Sequence, residues 1–263
     1  MCDAGVNTMR KTTNTLAVKR FSSYQSPAAL PVYQQGFTII ELMIAALLGL
    51  VLIGGMIQIF LGSSQTFRVQ RAIGEVQDKG RTAMDFIGRE IENAGFGGNG
   101  LVASAFSTLS QNVDFTAGTT NGTGVGNNDS IRIQYTGTTD CTGANIVAPF
   151  LVVNTFDVNG DELRCNGQPL INGVESFHVL YGIDTDNDRF VDQYQTADRV
   201  IASGNQTRVM AVRIGMIVAS ENVRVFSDDI SQNIKILDEA PLTKNDKRLR
   251  RKFTSTTMLA NRP

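Results

Sequence analysis

The sequence predicts an α+β protein: one long N-terminal α-helix, membrane-spanning in its first half, packed on a mainly antiparallel β-sheet. Three observations carry this. A single apolar run, Phe37 to Leu61, stands in a chain of otherwise ordinary composition. A stripe of residues three or four apart follows it as far as Ala94. Beyond Gly100 the hydrophobic period changes to two, the period of strands.

Composition bounds the function. A length of 263 residues suits one or two domains. With 24 Lys+Arg against 25 Asp+Glu the net charge is −1, which excludes a strongly basic nucleic-acid binder and an acidic disordered chain. A hydrophobic content of 42% supports a core, and a mean hydropathy of −0.06 is not that of a polytopic membrane protein. One histidine and three cysteines exclude a multi-His metal site. No GxSxG, HExxH, P-loop or dinucleotide fingerprint opens in the right context, so no enzyme is expected and no cofactor is required.

Residues 1–36 are polar, with Arg10, Lys11, Lys19 and Arg20 against Asp3. Phe37–Leu61 then runs for 25 residues with Glu41 as its only charge. As a helix it would be about 37 Å long, against a bilayer core of about 30 Å. The basic side precedes it, so the N-terminus stays cytoplasmic and the remainder is exported. A secretory signal peptide has a shorter apolar region and a small-x-small cut, which Gly62-Ser63-Ser64 matches poorly. A plain anchor fits the length but leaves Glu41 unexplained, since a carboxylate costs ~2.5–3.5 kcal/mol near the bilayer centre and less near the interface. An unpartnered Glu41 would have to snorkel to that interface.

Gly36-Phe37-Thr38-Ile39-Ile40-Glu41, followed by the apolar run, resembles the cleavage motif of type IV pilins and pseudopilins. The resemblance implies that a prepilin peptidase cuts between Gly36 and Phe37 and N-methylates Phe37. Residues 1–36 are then a removed leader, and Phe37–Leu61 is the transmembrane and filament-core helix. The leader is long and its basic residues lie far from the cut; a start at Met9 keeps all four of them. Losing four basic residues and one acid leaves a mature net charge of −4. Glu41 acquires a role in assembly: it neutralises the new amine of a neighbouring subunit, because pairing offsets the desolvation of both charges.

Over 62–98 the helix is read as an amphipathic continuation, with Val69, Ile73, Val76, Gly80, Ala83, Ile87, Ile91 and Ala94 on one face. It stops at the glycines from Gly95 to Gly100. Gly54, Gly55, Gly62, Gly74, Gly80 and Gly88 each lower helix propensity by up to ~1 kcal/mol relative to Ala, and stand for close packing or for local melting. The stretch Gly80–Phe96 resembles the end of the long helix in PilW-type minor pilins, although relatives place a Cys soon afterwards, where Gly97-Gly98 stand here.

Residues 99–263 form the periplasmic β-rich domain. Residues 101–128 read as a long loop. Ile131–Tyr135, Phe177–Ile183 and Arg208–Ala219 alternate, and Phe253–Leu259 is a candidate last strand. Asn159-Gly160 between Leu151–Val158 and Glu162–Cys165 marks a hairpin. With Cys2 in the leader, Cys141 and Cys165 are an even pair in an exported domain; a disulfide is the favoured reading and two free buried thiols the alternative. His178 falls opposite the apolar set of its strand and is expected at the surface.

Two charged segments stay open. Asp184, Asp186, Asp188 and Asp192, with the Phe190 carbonyl, match the 1-3-5-7-9 spacing of calcium loops, but position 6 is Arg189 and position 12 is Gln195. An Asx-rich surface turn is the alternative. Six basic residues fall between Lys244 and Lys252. DNA or membrane contact is one reading; a solvated face or a subunit contact on the family's closing strand is the preferred one.

The resemblance implies a minor pilin that helps initiate type IV pilus assembly, sits at the fibre tip and supports twitching motility and adhesion. The implied partners are other minor pilins, the major pilin, a tip adhesin and the inner membrane, with no specific nucleic acid. Two rivals remain: a J-class pseudopilin of type II secretion, and a membrane-anchored periplasmic enzyme.

Overall fold

The computed structural model describes residues 36–97, 113–115, 119–122, 127–147 and 150–261. The leader before Gly36, with Cys2, and most of the loop 101–128 lie outside the described residues. The chain divides into two compact units, Met1–Leu52 and Ile53–Pro263.

Helix α1 spans Ile39–Asn93. Thr38 stands at its N-cap, where its hydroxyl accepts from the Glu41 N–H at 3.3 Å. Thr-x-x-Glu is the capping-box pattern, and Glu41 is the acid of the first turn, where the helix dipole favours negative charge. From Phe37 to Leu61 the large apolar side chains are 53–85% exposed. Beyond Leu61 the stripe turns inward: Ala72, Val76, Gly80, Ala83, Met84, Ile87 and Ile91 are buried. Val69 and Ile73 of the expected face are only partly buried, against Ala72, Val225 and Leu249. The helix ends in the turn at Ala94-Gly95, and the Gly95 N–H bonds the Gln134 carbonyl at 2.8 Å.

The first sheet has four strands in the order β1-β2-β3-β4: β1 Ile131–Thr136, β2 Leu151–Asn159, β3 Glu162–Cys165 and β4 Gln168–Asn172. All neighbours are antiparallel. Asn159 pairs with Glu162, so the tight loop is Gly160-Asp161, one residue beyond the expected position. Gly160 has φ 67°, the first-position glycine of a type II′ turn. A second hairpin, β3 to β4, turns on Asn166-Gly167, both at positive φ (50° and 81°), the type I′ pattern.

The second sheet runs β10-β7-β5-β6, with β5 Val174–Ile183, β6 Gln193–Gln195, β7 Val209–Ala219 and β10 Arg250–Met258. A short helix α2, Ala197–Ala202, precedes β7. Strands β8 Ile230–Ile234 and β9 Leu242–Asp246 form a separate hairpin. Two consecutive alternations in the sequence prove to be strands buried on both faces. In β7 one side joins the main core through Val212, Ile214, Met216 and Val218, while Ile217 on the other meets Ile236 and Leu242 beside the β8–β9 hairpin.

The main core joins the second half of α1 to both sheets: Val76, Ala83, Ile87 and Ile91 pack with Ile131, Phe156, Phe177, Tyr181 and Met216. Each fully buried Ile or Val contributes roughly 1.5–3 kcal/mol relative to exposure. The helix glycines divide on structural grounds. A Cβ at Gly54, Gly55, Gly62 or Gly74 would meet nothing within 4 Å, whereas at Gly80 it would lie 2.3 Å from the Phe253 ring. Gly80 is thus the site of close helix–strand packing.

We expect Gly80→Ala to lower stability by about 1–3 kcal/mol, the cost of overpacking. In a Phe253→Ala background the same change should become stabilising by up to about 1 kcal/mol, because helix propensity then acts alone. Denaturant midpoints of the full chain in detergent, read as a double-mutant cycle, check both signs.

Candidate functional site

Five sets of functional candidates can be placed. Gly36, Phe37 and Glu41 sit at the start of α1. Among the described residues a Cβ at Gly36 would meet nothing within 4 Å, and Phe37 is 85% exposed. Glu41 is exposed one turn into the helix, and its carboxylate has no protein partner among the described residues.

Cys141 and Cys165 form a disulfide with a Cα–Cα distance of 6.3 Å. It ties the turn after β1 to the end of β3. That turn is organised by Asp140, whose Oδ1 accepts from the Thr142 N–H and hydroxyl and from the Ala144 N–H at 2.7–3.0 Å. Burial works to raise the Asp140 pKa, but these bonds and one from Asn166 outweigh it and hold the carboxyl below the usual range. In the chain-entropy account a loop of this size adds roughly 3 kcal/mol of stability.

The acidic turn between β5 and β6 gathers three of the five expected ligands. Carboxylate oxygens of Asp184, Asp186 and Asp188 lie within 4.8 Å of one another. Asp192 turns elsewhere: its Oδ2 accepts from the Thr185 N–H at 2.7 Å and the Thr185 hydroxyl at 2.6 Å. Those bonds lower the Asp192 pKa. Asp184 accepts from the N–H groups of Asn187 (2.6 Å) and Arg189 (2.9 Å), and the Phe190 N–H donates to Asp188 at 2.8 Å. Asn187 and Arg189 adopt positive φ of 65° and 72°. This is an Asx-turn network. Asp186 feels two opposed effects: the Asp188 N–H bond lowers its pKa, while desolvation and the charges of Asp188, Asp192 and Asp184 together raise it. Carboxylate oxygens in this number suit a hard cation. Arg189 and Arg208 line the same small cavity with Asp184 and compete with any such cation.

The basic segment departs from expectation. Arg251 and Lys252 are exposed, but Arg250 is buried, with a side chain only 2% accessible. Its guanidinium forks twice: Nη1 and Nη2 donate to Asp246 at 2.7 and 2.6 Å, and Nε and Nη2 donate to Glu175 at 2.6 and 3.0 Å. Burial alone would lower the Arg250 pKa; the two carboxylates reverse this and raise it. Arg248 donates to the Ser220 carbonyl at 2.8 Å. Part of the run is therefore internal wiring between β10, β9 and β5 rather than a solvated face, because Glu175, distant in sequence, and Asp246, four residues before Arg250, converge on it.

His178 also departs from expectation. It is buried, with Nδ1 3.4 Å from Asp129 and 3.8 Å from Glu239. Period-two reasoning assumes a solvated second face, whereas here Glu239, from the β8–β9 connection, and Asp129 close it. Asp129 also caps the β5 edge, its Oδ2 accepting from the Val179 N–H at 2.7 Å. Two further polar networks join α1 to residues distant in sequence. Glu90 on α1 accepts from the Tyr135 hydroxyl (2.9 Å) and Asn154 (2.6 Å). Lys79 donates to Glu75, Asn172 and Glu221. The Thr38/Glu41 capping box was open to a local reading of Thr-x-x-Glu.

Comparison with known proteins follows this anatomy. A family model described as Type IV Pilus-assembly protein W matches residues 133–261, and one described as Prokaryotic N-terminal methylation motif matches residues 32–57. No curated protein matches the chain. Among solved structures, the type IV-like pilin TTHA1219 from Thermus thermophilus is similar at 15% identity, with a TM-score of 0.43, over 70% of this chain and 96% of that one.

The Arg250 fork sets a pH dependence. The hydrogen bond from Arg250 is the main cause that lowers the Asp246 carboxyl from 3.8 to about 2. Stability from this depressed pKa is complete above the unfolded value and is lost as pH falls through about 2. The stability difference between wild type and Asp246→Asn should therefore shrink between pH 5 and pH 2, a trend that urea midpoints across that range check.

The methylation motif opens directly onto the apolar helix, and the PilW match spans both sheets from β1 to the end of β10. The chain belongs to the PilW family of pilus-assembly proteins and is a type IV minor pilin, a structural pilus component rather than an enzyme.

Proposed function

We propose that this minor pilin is cleaved between Gly36 and Phe37, N-methylated on Phe37, and used to initiate type IV pilus assembly at the inner membrane. It takes a position at the fibre tip and supports twitching motility and adhesion. Its neighbours are other minor pilins, the major pilin and a tip adhesin. An inner-membrane anchor with a periplasmic domain fits the apolar helix and its motif. One observation carries the reading: a long, exposed apolar run, Phe37–Leu61, whose single acid, Glu41, stands in the first helical turn beside the expected cleavage point. Exposed apolar surface on this scale needs lipid or the helices of other subunits. Glu41 then compensates the amine that processing creates on an adjacent subunit, since an unpaired charge in that setting is costly.

Intact-mass analysis of membrane and sheared-fibre fractions should give a mature chain beginning at N-methylated Phe37. Glu41→Val should still be processed but enter fibres at least tenfold less. A species retaining residues 1–36, or undiminished assembly of the variant, would refute the proposal. The same experiment with type II secretion subunits in place of pilins tests the pseudopilin alternative.

The acidic turn carries a second, smaller proposal: Asp184, Asp186 and Asp188 bind Ca²⁺. Three gathered carboxylates and the mutual repulsion felt by Asp186 favour it. With only three such ligands the affinity should resemble that of weak extracellular modules, about 10⁻⁴–10⁻³ M. Calorimetric titration should detect binding that vanishes in Asp186→Ala with Asp188→Ala, and equal heats from both proteins would reject the site.

A further inference from the structure

Among the described residues, the second sheet leaves one long edge unguarded. β10 lies at the end of the order β10-β7-β5-β6, paired with β7 from Arg250↔Ala219 to Met258↔Ala211. The flanking bonds fix which way its amides point. The Leu259 N–H donates to the Met210 carbonyl, and the Ser220 N–H donates to the Leu249 carbonyl. Both pairs keep the β10–β7 register. The odd-numbered residues of β10 therefore spend their N–H and C=O groups on β7, and the even-numbered ones point theirs away. The outward set is Lys252, Thr254, Thr256 and Met258, all exposed. Their backbone groups have no hydrogen-bond partner among the described residues.

The other sheet edges are protected. β6 has three residues, and β4 carries Pro169. β1 is covered by bridges from Val113 to Ile133 and from Thr120 to Ser130. β8 and β9 are five residues each, with Lys244 on β9. β10 has nine residues, and after Lys252 its sequence Phe-Thr-Ser-Thr-Thr-Met has no charge, proline or bulge. Solitary proteins blunt such edges, so an open one is a template for a further strand. Thr residues also suit a pleated, half-buried surface.

A groove runs beside this edge. Its floor is Ser255–Met258, and its wall is the α1 face of Asp85, Gly88, Arg89 and Glu92. At Gly88 the helix lies beside β10 at ordinary contact distance: a Cβ there would sit 3.6 Å from the Thr257 hydroxyl. Asn261 closes the far end by donating to the Glu92 carbonyl at 2.9 Å. Because α1 follows β10 from Gly80 at Phe253 to Glu92 at Asn261, antiparallel pairing of two β10 edges would reverse one α1 relative to the other. Subunits that enter one membrane by the same N-terminal helix share a chain direction, which disfavours that pairing and favours a strand from a different subunit.

We propose that the free edge of β10, from Lys252 to Met258, receives an extended strand of a neighbouring pilin subunit, seated in the groove between β10 and α1. This rests on the assembly role proposed above. The interaction is β-augmentation: main-chain bonds to the four outward residues supply affinity, and side chains against Asp85, Arg89 and Glu92 supply selectivity.

Hydrogen exchange at single-amide resolution tests it. The full-length chain purified alone in detergent is compared with the same chain in sheared fibres. In fibres, the amides of Lys252, Thr254, Thr256 and Met258 should exchange at least tenfold more slowly, while Arg251, Phe253, Ser255 and Thr257 are slow in both states. Unchanged rates at the even positions in fibres overturn the proposal and leave the assembly role standing. Slow even positions in the chain purified alone assign the edge to the chain itself or to a second copy, and also overturn it. If the wild-type chain is missing from fibres and from pilin-containing membrane complexes, the assembly role fails and the edge proposal falls with it. As a second arm, Thr254→Pro with Thr256→Pro deletes two outward N–H groups but none that bond β7. Its Cys141–Cys165 bond and membrane level should match wild type while fibre incorporation drops at least tenfold; undiminished incorporation overturns the proposal.

Discussion

The contact between the second half of α1 and the two sheets is what the rest of the molecule depends on. Val76, Ala83, Ile87 and Ile91 are almost wholly removed from water, and they bind together strands that do not pair with one another across the two sheets. Small residues on that face set the distance. Gly80 admits the Phe253 ring, whereas a Cβ at Gly88 would make only an ordinary contact with the Thr257 hydroxyl. Ala at position 80 would have been better for the isolated helix. Close approach to β10 outweighs that preference, which is why a glycine that looks like a weakness in the sequence is where the helix is fixed most tightly to the sheet.

Much of this was legible beforehand because the signals are local and periodic. The apolar run, the helical stripe and the stop at Gly95 place α1 within a residue or two of its observed limits, Ile39–Asn93. The alternation at Ile131–Tyr135 and the Asn-Gly hairpin signal place β1 to β3, with a shift of one residue in the turn. β4 was within reach of the second Asn-Gly, at Asn166-Gly167. The β8–β9 hairpin was not. Its strands are short and mostly polar, and what stabilises it is Ile217 against Ile236 and Leu242, a contact between distant segments.

The misplaced charges share one cause. His178, opposite an apolar set, reads as a surface residue, and Arg250, within a basic run, reads as part of a solvated face or a subunit contact. His178 is enclosed by Asp129 and Glu239, both far away in sequence, and Arg250 by the distant Glu175 together with Asp246, only four residues before it. Period and composition record which residues prefer burial, but not which polar residues will be given partners. The acidic turn shows the converse. Its 1-3-5 spacing does bring three carboxylates together, while Asp192 follows Thr185 instead, a local competition that spacing alone does not resolve.

If Glu41 pairs between subunits as proposed, the N-terminal cap makes docking an exchange rather than a simple gain. Thr38 bonds the Glu41 N–H, so this acid already stands over the positive end of its own helix. In that pairing a foreign ammonium group would have to draw the carboxylate from that local field, and only the difference between the two attractions would contribute to joining subunits. The Thr38 cap engages the Glu41 backbone N–H and not its carboxylate, so under the proposed pairing the helix start stays formed whether or not the acid meets an amine.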